Sequence, residues 1–144
     1  MSDADFQTVL WETKRALAVA TEHAFARHGV RAGQQFVLTR LWQHDGQSPG
    51  GIASQLGLAT PTLTRTASRL EAAGLLTRKS SITDNRKIEL WLTDRGRALE
   101  PMIGRELAAL TERALGGLTQ RQRVQLVSHL RIVLGSLAGP GDEL

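Results

Sequence analysis

Residues 48–93 read SPGGIASQLGLATPTLTRTASRLEAAGLLTRKSSITDNRKIELWLT, and the punctuation of that stretch decides the fold. Ser48-Pro49 opens a short helix, because a serine hydroxyl caps a helix start and proline's fixed φ and missing N–H suit a first turn. Ile52, Ala53 and Leu56 give that helix an apolar side, and Gly57 ends it. Leu58-Ala59 bridge to Thr60-Pro61, which read as a second cap and first-turn pair. The following helix runs to about Ala73, with Leu63, Ala67 and Leu70 on one face and Gly74 as its stop. Two short helices around a tight glycine turn form a helix-turn-helix unit.

Past Gly74 the pattern changes period. Residues 75–78 and 88–92 read as strands, the second with Ile88, Leu90 and Leu92 on one face and Glu89 and Trp91 on the other. The polar loop 79–87 joins them, with Asp84-Asn85 as turn chemistry at its tip. Strand, basic loop and strand make a β-hairpin wing.

Helices are expected on both flanks. One starts at Ser2 or Asp3 and runs to about His28, with Phe6, Leu10, Leu17 and Val19 as its apolar face and Gly29 as its stop. Another spans about 32–44 and carries Phe36, Val37 and Leu41, with Asp45-Gly46 as the closing turn. Thr93 caps a long helix to about Leu115, striped by Leu99, Ile103, Leu107 and Leu110 and broken by Gly116-Gly117. Thr119 and Gln122 match a capping box, and the last helix carries Val124, Val127, Leu130, Leu134 and Leu137. The tail from Ala138 to Gly141 reads as frayed. The fold class is mainly α with a small β-hairpin wing, in one domain of 144 residues.

Charge is concentrated. Residues 60–97 hold eight basic side chains against four acidic ones, an excess equal to the +4 of the whole chain. A focused basic patch points to a polyanion, whose phosphates would supply much of the affinity. Fifteen of the 18 basic residues are Arg, which favours bidentate contacts to phosphate or guanine, although a GC-rich genome also enriches Arg. On the second helix of the motif, Thr62, Thr64, Arg65 and Arg69 form the polar side opposite the leucines. That side fits a major groove, and the helix start would add N–H donors for phosphate.

Other chemistry finds little support. The absence of Cys rules out disulfides, thiolate metal sites and thiol-based sensing. His23 and His28 are five apart, off the i, i+4 spacing of a helical metal pair, so no metal site is expected even with Glu22 nearby. No nucleophile elbow, HExxH motif or phosphate-binding loop occurs, so no catalytic residue, cofactor or enzymatic activity is expected. No run approaches a membrane span, and the acidic start lacks a signal-peptide pattern, which points to a cytoplasmic protein.

The chain resembles the MarR family of bacterial regulators. The resemblance rests on Gln35, Phe36 and Leu38, then on Ile52-Ala53-Ser54-Gln55-Leu56-Gly57-Leu58. It continues through Leu63-Thr64-Arg65, Leu70-Glu71, Gly74-Leu75-Leu76 and Arg78 to Asp84-x-Arg86 and Leu92-Thr93-x-x-Gly96. It departs at Gly51-Ile52 and Ala32-Gly33, outside the polar helix face.

The resemblance implies a homodimer on a palindromic double-stranded DNA operator, most often as a repressor. Residues 1–31 and 94–138 would form the dimerisation helices, and 32–93 the winged helix-turn-helix lobe. Thr60, Thr62, Thr64, Arg65, Arg69, Arg86 and Lys87 would meet DNA, Arg86 in the minor groove. Asp84 would hold the wing by pairing with a nearby Arg. It also implies release by a small aromatic or anionic effector, with Trp11 and Trp42 as candidates to line its pocket. The alternatives are a non-specific architectural DNA-binding protein and a winged-helix protein–protein module.

Overall fold

Capping and glycine geometry set the order of elements. A computed structural model of the chain describes residues 1–138 and forms α1 (Asp3–Phe25), α2 (Gln34–Gln43), α3 (Pro49–Leu56) and α4 (Thr60–Ala72). The strands β1 (Leu76–Ser80) and β2 (Ile88–Leu92) follow, then α5 (Asp94–Leu115) and α6 (Gln120–Leu137). Ser2 caps α1 in a capping box with Asp5, and Thr119 caps α6 in another with Gln122. A 3₁₀ turn, Ala26–His28, closes α1 against Gly29 at φ 71°. Gly139, Pro140 and Gly141 of the expected frayed tail lie outside the described residues.

The chain divides into two compact units, residues 1–107 and 108–144. In the first, Phe25 from α1, Val37, Leu38 and Leu41 from α2, Ile52 from α3 and Leu63 and Leu70 from α4 bury fully around one core. Leu75, Leu76 and Leu90 from the strand region and Ile103 from α5 complete it. Each such leucine or isoleucine contributes about 1.5–3 kcal/mol of transfer free energy.

Several expected core positions are solvent-facing instead. Phe36 is 57% exposed, because α2 starts at Gln34 and turns Val37, Leu38 and Leu41 inward. Ile88 is 45% exposed, because the strands run past the helical core at their loop end, while Leu90 and Leu92 remain over it. Phe6, Leu10, Leu17 and Val19 are all exposed, and within α1 only Thr21 and Phe25 are buried. In the second unit no residue of α6 is buried, so Val124, Val127, Leu130, Leu134 and Leu137 present an apolar face to solvent.

The join between β2 and α5 is tight. Thr93 Oγ1 accepts from the Gly96 N–H at 3.1 Å and donates to the Gly74 carbonyl at 2.7 Å. The Thr93 N–H donates to the Leu75 carbonyl at 3.1 Å, and Trp42 Nε1 donates to the Gly96 carbonyl at 2.9 Å. A Cβ at position 96 would sit 2.0 Å from the Leu75 carbonyl oxygen. Gly96→Ala is therefore expected to destabilise the protein by about 2 kcal/mol or more, because the obstacle is backbone and cannot rotate away. Urea denaturation would read this as a lower midpoint, and an unchanged midpoint would refute the packing argument.

A polar clamp ties the end of α1 to α5. The Glu106 carboxylate pairs with the Arg27 guanidinium and lies 3.1 Å from His28 Nε2. Hydrogen bonds from Arg27, then His28, hold the Glu106 carboxyl below its ordinary range. A carboxylate whose folded-state pKa is depressed stabilises the fold above its unfolded pKa, and loses that contribution as pH falls through the folded value. Glu106→Gln is expected to unfold more easily than the parent at pH 7. The gap should close below about pH 4, and a gap of equal size at pH 3 and pH 7 would show that the charge plays no part.

Candidate nucleic-acid interface

The helix-turn-helix is built as its punctuation requires, with one shift of register. Ser48 caps α3 by accepting from the Gly51 N–H at 3.0 Å, Pro49 stands at the first position, and Gly57 closes the helix at φ 66°. The cap of α4, however, is Ala59 rather than Thr60, with no side-chain cap bond, so Thr60 and Pro61 occupy the first two helical positions. Pro61 has no N–H, and those of Thr62 and Leu63 donate back to the Ala59 carbonyl at 3.1 and 3.2 Å. The start of α4 therefore offers fewer free donors for a phosphate than the sequence suggests.

Leu63, Ala67 and Leu70 are fully buried, which turns the opposite side of α4 to solvent. Thr60, Thr62, Arg65 and Arg69 are exposed there, whereas Thr64 is half-buried. Thr64 Oγ1 donates to the Thr60 carbonyl at 2.9 Å, Thr66 Oγ1 to Thr62 at 3.2 Å and Ser68 Oγ to Thr64 at 3.0 Å. These hydroxyls are thus spent on the helix that carries them. Arg65 and Arg69 have no acidic partner among the described residues, but their settings differ. Arg65 is simply exposed, while Arg69 lines a cleft of about 700 Å³ with Glu22, Arg31, Phe36, Leu58 and Thr66.

The wing is a two-stranded antiparallel hairpin in which Leu76 pairs with Leu92 and Ser80 with Ile88. Its loop is internally tied. The Ser81 N–H donates to the Lys87 carbonyl at 2.8 Å, and the Lys87 N–H to the Asp84 carbonyl at 2.9 Å. Asp84 Oδ1 accepts from the Arg86 backbone N–H at 3.0 Å and from Arg86 Nε at 3.3 Å. The arginine that Asp84 holds is thus Arg86 itself, whose side chain is 92% exposed. An exposed pair of this kind contributes little to stability and positions the guanidinium instead. Lys87 is exposed beside it, and Lys79 lies over the Trp91 ring at 5.5 Å.

Three polar residues to which the sequence reading gave no joining role hold these elements together. Arg78 reaches from β1 to α4, donating to the Thr64 carbonyl at 3.4 Å and to the Ser68 hydroxyl, with Glu71 3.8 Å away. Gln47 forms a bridge to Leu90 on the free edge of β2, and Asp45 accepts from the Leu92 N–H at 2.9 Å. Arg78 is therefore structural, as is Arg97, which pairs with Asp94 and Asp45. Of the eight basic residues in 60–97, Arg65, Arg69, Lys79, Lys87 and Arg95 have no acidic partner among the described residues.

The two candidate effector-site tryptophans sit in different settings. Trp42 is half-buried and its indole N–H is taken by Gly96, whereas Trp11 is 59% exposed on α1 beneath the Arg15 guanidinium, 5.4 Å from the ring centroid. Glu22 binds the Arg31 side chain and the Ala32 N–H, and His28 faces Glu106. No described helix is long and apolar enough to cross a membrane.

Comparison with known proteins gives a consistent answer. Residues 31–88 match the model of the MarR family. Over 98 residues, 68% of this chain, the sequence is 34% identical to the HTH-type transcriptional regulator TtmR of Methylorubrum extorquens (strain PA1), and the match spans half the length of that relative. The transcriptional repressor CouR, solved bound to a 23-mer DNA duplex, matches with a TM-score of 0.79 at 28% identity, covering 88% of this chain and 90% of that one. The transcriptional regulator SlyA matches with a TM-score of 0.82 at 24% identity, covering 92% and 94% of the two chains, which is a likeness of fold. These relatives are regulators and not enzymes.

Proposed function

We propose that this chain is a member of the MarR family, whose model its residues 31–88 match, and that it is a cytoplasmic, sequence-specific double-stranded DNA-binding regulator, acting as a repressor. The observation that carries the reading is the solvent-facing side of α4, with Arg65 free of any acidic partner among the described residues, beside a wing whose Arg86 is held outward by Asp84. A helix fits the major groove with Arg65 toward base edges, and an arginine on a narrow hairpin suits the minor groove. Thr60, Thr62, Thr64 and Lys87 would add contacts nearby.

The exposed apolar faces of α1 and α6 support a homodimer on a palindromic operator. Monomeric proteins rarely leave such stripes uncovered, and two recognition helices would then meet half-sites about 34 Å apart. Removing residues 119–144 is expected to yield a monomer or an insoluble chain without operator affinity. A soluble truncated protein that still sediments as a dimer would refute this arrangement.

Release by an effector belongs to the same reading, and the cleft beside α4 supports a better place for it than Trp11 or Trp42. Its walls combine exposed Phe36 and Leu58 with the unpaired cation of Arg69, since Arg31 is engaged by Glu22. An aromatic carboxylate held there would act only through its different affinity for the DNA-competent and incompetent states.

The decisive experiment separates the two reading elements. Arg65→Ala is expected to cost about 1–3 kcal/mol on the operator, to relax preference at one position per half-site and to matter less on random DNA. Arg86→Ala should weaken binding to most sequences, most where A·T runs narrow the minor groove, and flatten the salt dependence. Both variants would be titrated on operator and random DNA across a salt series. Parent-like affinities for both would place DNA on another face.

A further inference from the structure

We infer that Asp45 is a positioning residue for the wing, standing in for a third strand that the chain does not complete. The inference rests on the DNA-binding reading above and names how that surface is aimed. The outer edge of β2 would otherwise present unpaired backbone groups. Residues 45–47 cover it in two steps. At Leu90 the cover is backbone: its N–H donates to the Gln47 carbonyl at 2.8 Å, and its carbonyl accepts from the Gly46 N–H at 3.0 Å.

Two residues on, at Leu92, a continuing strand would offer another carbonyl. The chain has instead turned at Gly46, with φ at 74° and the Trp91 ring packed so closely that a Cβ would lie 2.3 Å from it. The Asp45 carboxylate takes the strand's place. Its Oδ1 accepts from the Leu92 N–H at 2.9 Å and the Gly46 N–H at 3.1 Å. Its Oδ2 lies 3.6 Å from Arg97 Nη1, which donates to the Leu92 carbonyl at 2.9 Å. Both backbone groups of the wing's last residue are thus fixed by charged side chains from the α2–α3 turn and from α5. Charge-assisted bonds are the stronger kind.

The wing works as a lever from that point. The strand spans about 13 Å from Leu92 to Ile88, and Arg86 lies two residues beyond it, in the turn that the Lys87 N–H closes on the Asp84 carbonyl. A swing of about 10° at the root would carry the loop end of the strand about 2 Å, enough to break a hydrogen bond to DNA. Asp45 touches no DNA in this account and acts through Arg86.

The test is a double-mutant cycle on operator DNA with Asp45→Ala, Arg86→Ala and the pair, with Asp45→Asn as the conservative variant. Arg86→Ala is expected to weaken binding about tenfold, and Asp45→Ala by a similar factor. The pair should be little weaker than either, because one contact cannot be lost twice. Asp45→Asn keeps an oxygen for the Leu92 N–H and should stay within about threefold of the parent. A residue that only stabilised the fold would show losses that multiply, and that result overturns the assignment alone, as does parent-like binding by Asp45→Ala. No loss on Arg86→Ala overturns the wing's part in DNA binding and this assignment with it. If circular dichroism shows Asp45→Ala unfolded, Arg97→Met enters the same cycle, since it removes the other half of the clamp, and the same outcomes decide.

Discussion

Everything in the first unit turns on how closely the first turn of α5 approaches the backbone at Leu75. The end of α4, the start of β1, the end of β2 and the indole of Trp42 meet there, joined through Thr93 and Gly96. Only a residue without Cβ allows the approach. One glycine and one threonine hydroxyl thereby fix where α4 stops and where the wing begins. The relation between recognition helix and hairpin is set by backbone contacts, which are short and directional, more than by interchangeable apolar packing.

The charged residues divide by the same logic. Arg78, Arg97 and Arg27 are consumed in joining elements, each with a carboxylate or carbonyl within reach. Arg65, Arg69 and Lys87 have no acidic partner among the described residues. Net charge does not say which cations are open to a polyanion, because it subtracts carboxylates without regard to what they touch. Three guanidiniums differ in their settings: that of Arg65 stands on the open side of α4, that of Arg69 faces a cleft, and that of Arg86 on the wing is oriented by Asp84 while almost fully exposed.

Much of this was legible in the sequence because the signals are local. Ser48-Pro49, Gly57, Gly74, Thr93 and the Thr119–Gln122 box speak for themselves within four residues, and the spacing of Leu63, Ala67 and Leu70 names its own buried face. The readings that went astray depended on distant partners. Thr60-Pro61 is as good a cap pair locally as Ser48-Pro49, yet the turn from Gly57 enters α4 one residue early and makes Ala59 the cap. Phe36 and Ile88 have the right chemistry for a core, but the core lies elsewhere. Asp45 reads only as a turn residue and Gln47 carries no signal, since an edge made of one bridge and one carboxylate leaves no period to detect.

The hydroxyls of α4 carry a further consequence. Thr64, Thr66 and Ser68 each return their proton to the carbonyl one turn back. A threonine bound in this way shows the outside its methyl group rather than a donor. The surface between Thr62 and Arg69 is accordingly greasier than its letters suggest. Thymine is the base that displays a methyl in the major groove. A helix dressed like this would sense pyrimidine shape by close fit at some positions and reserve hydrogen-bond grammar for its arginine.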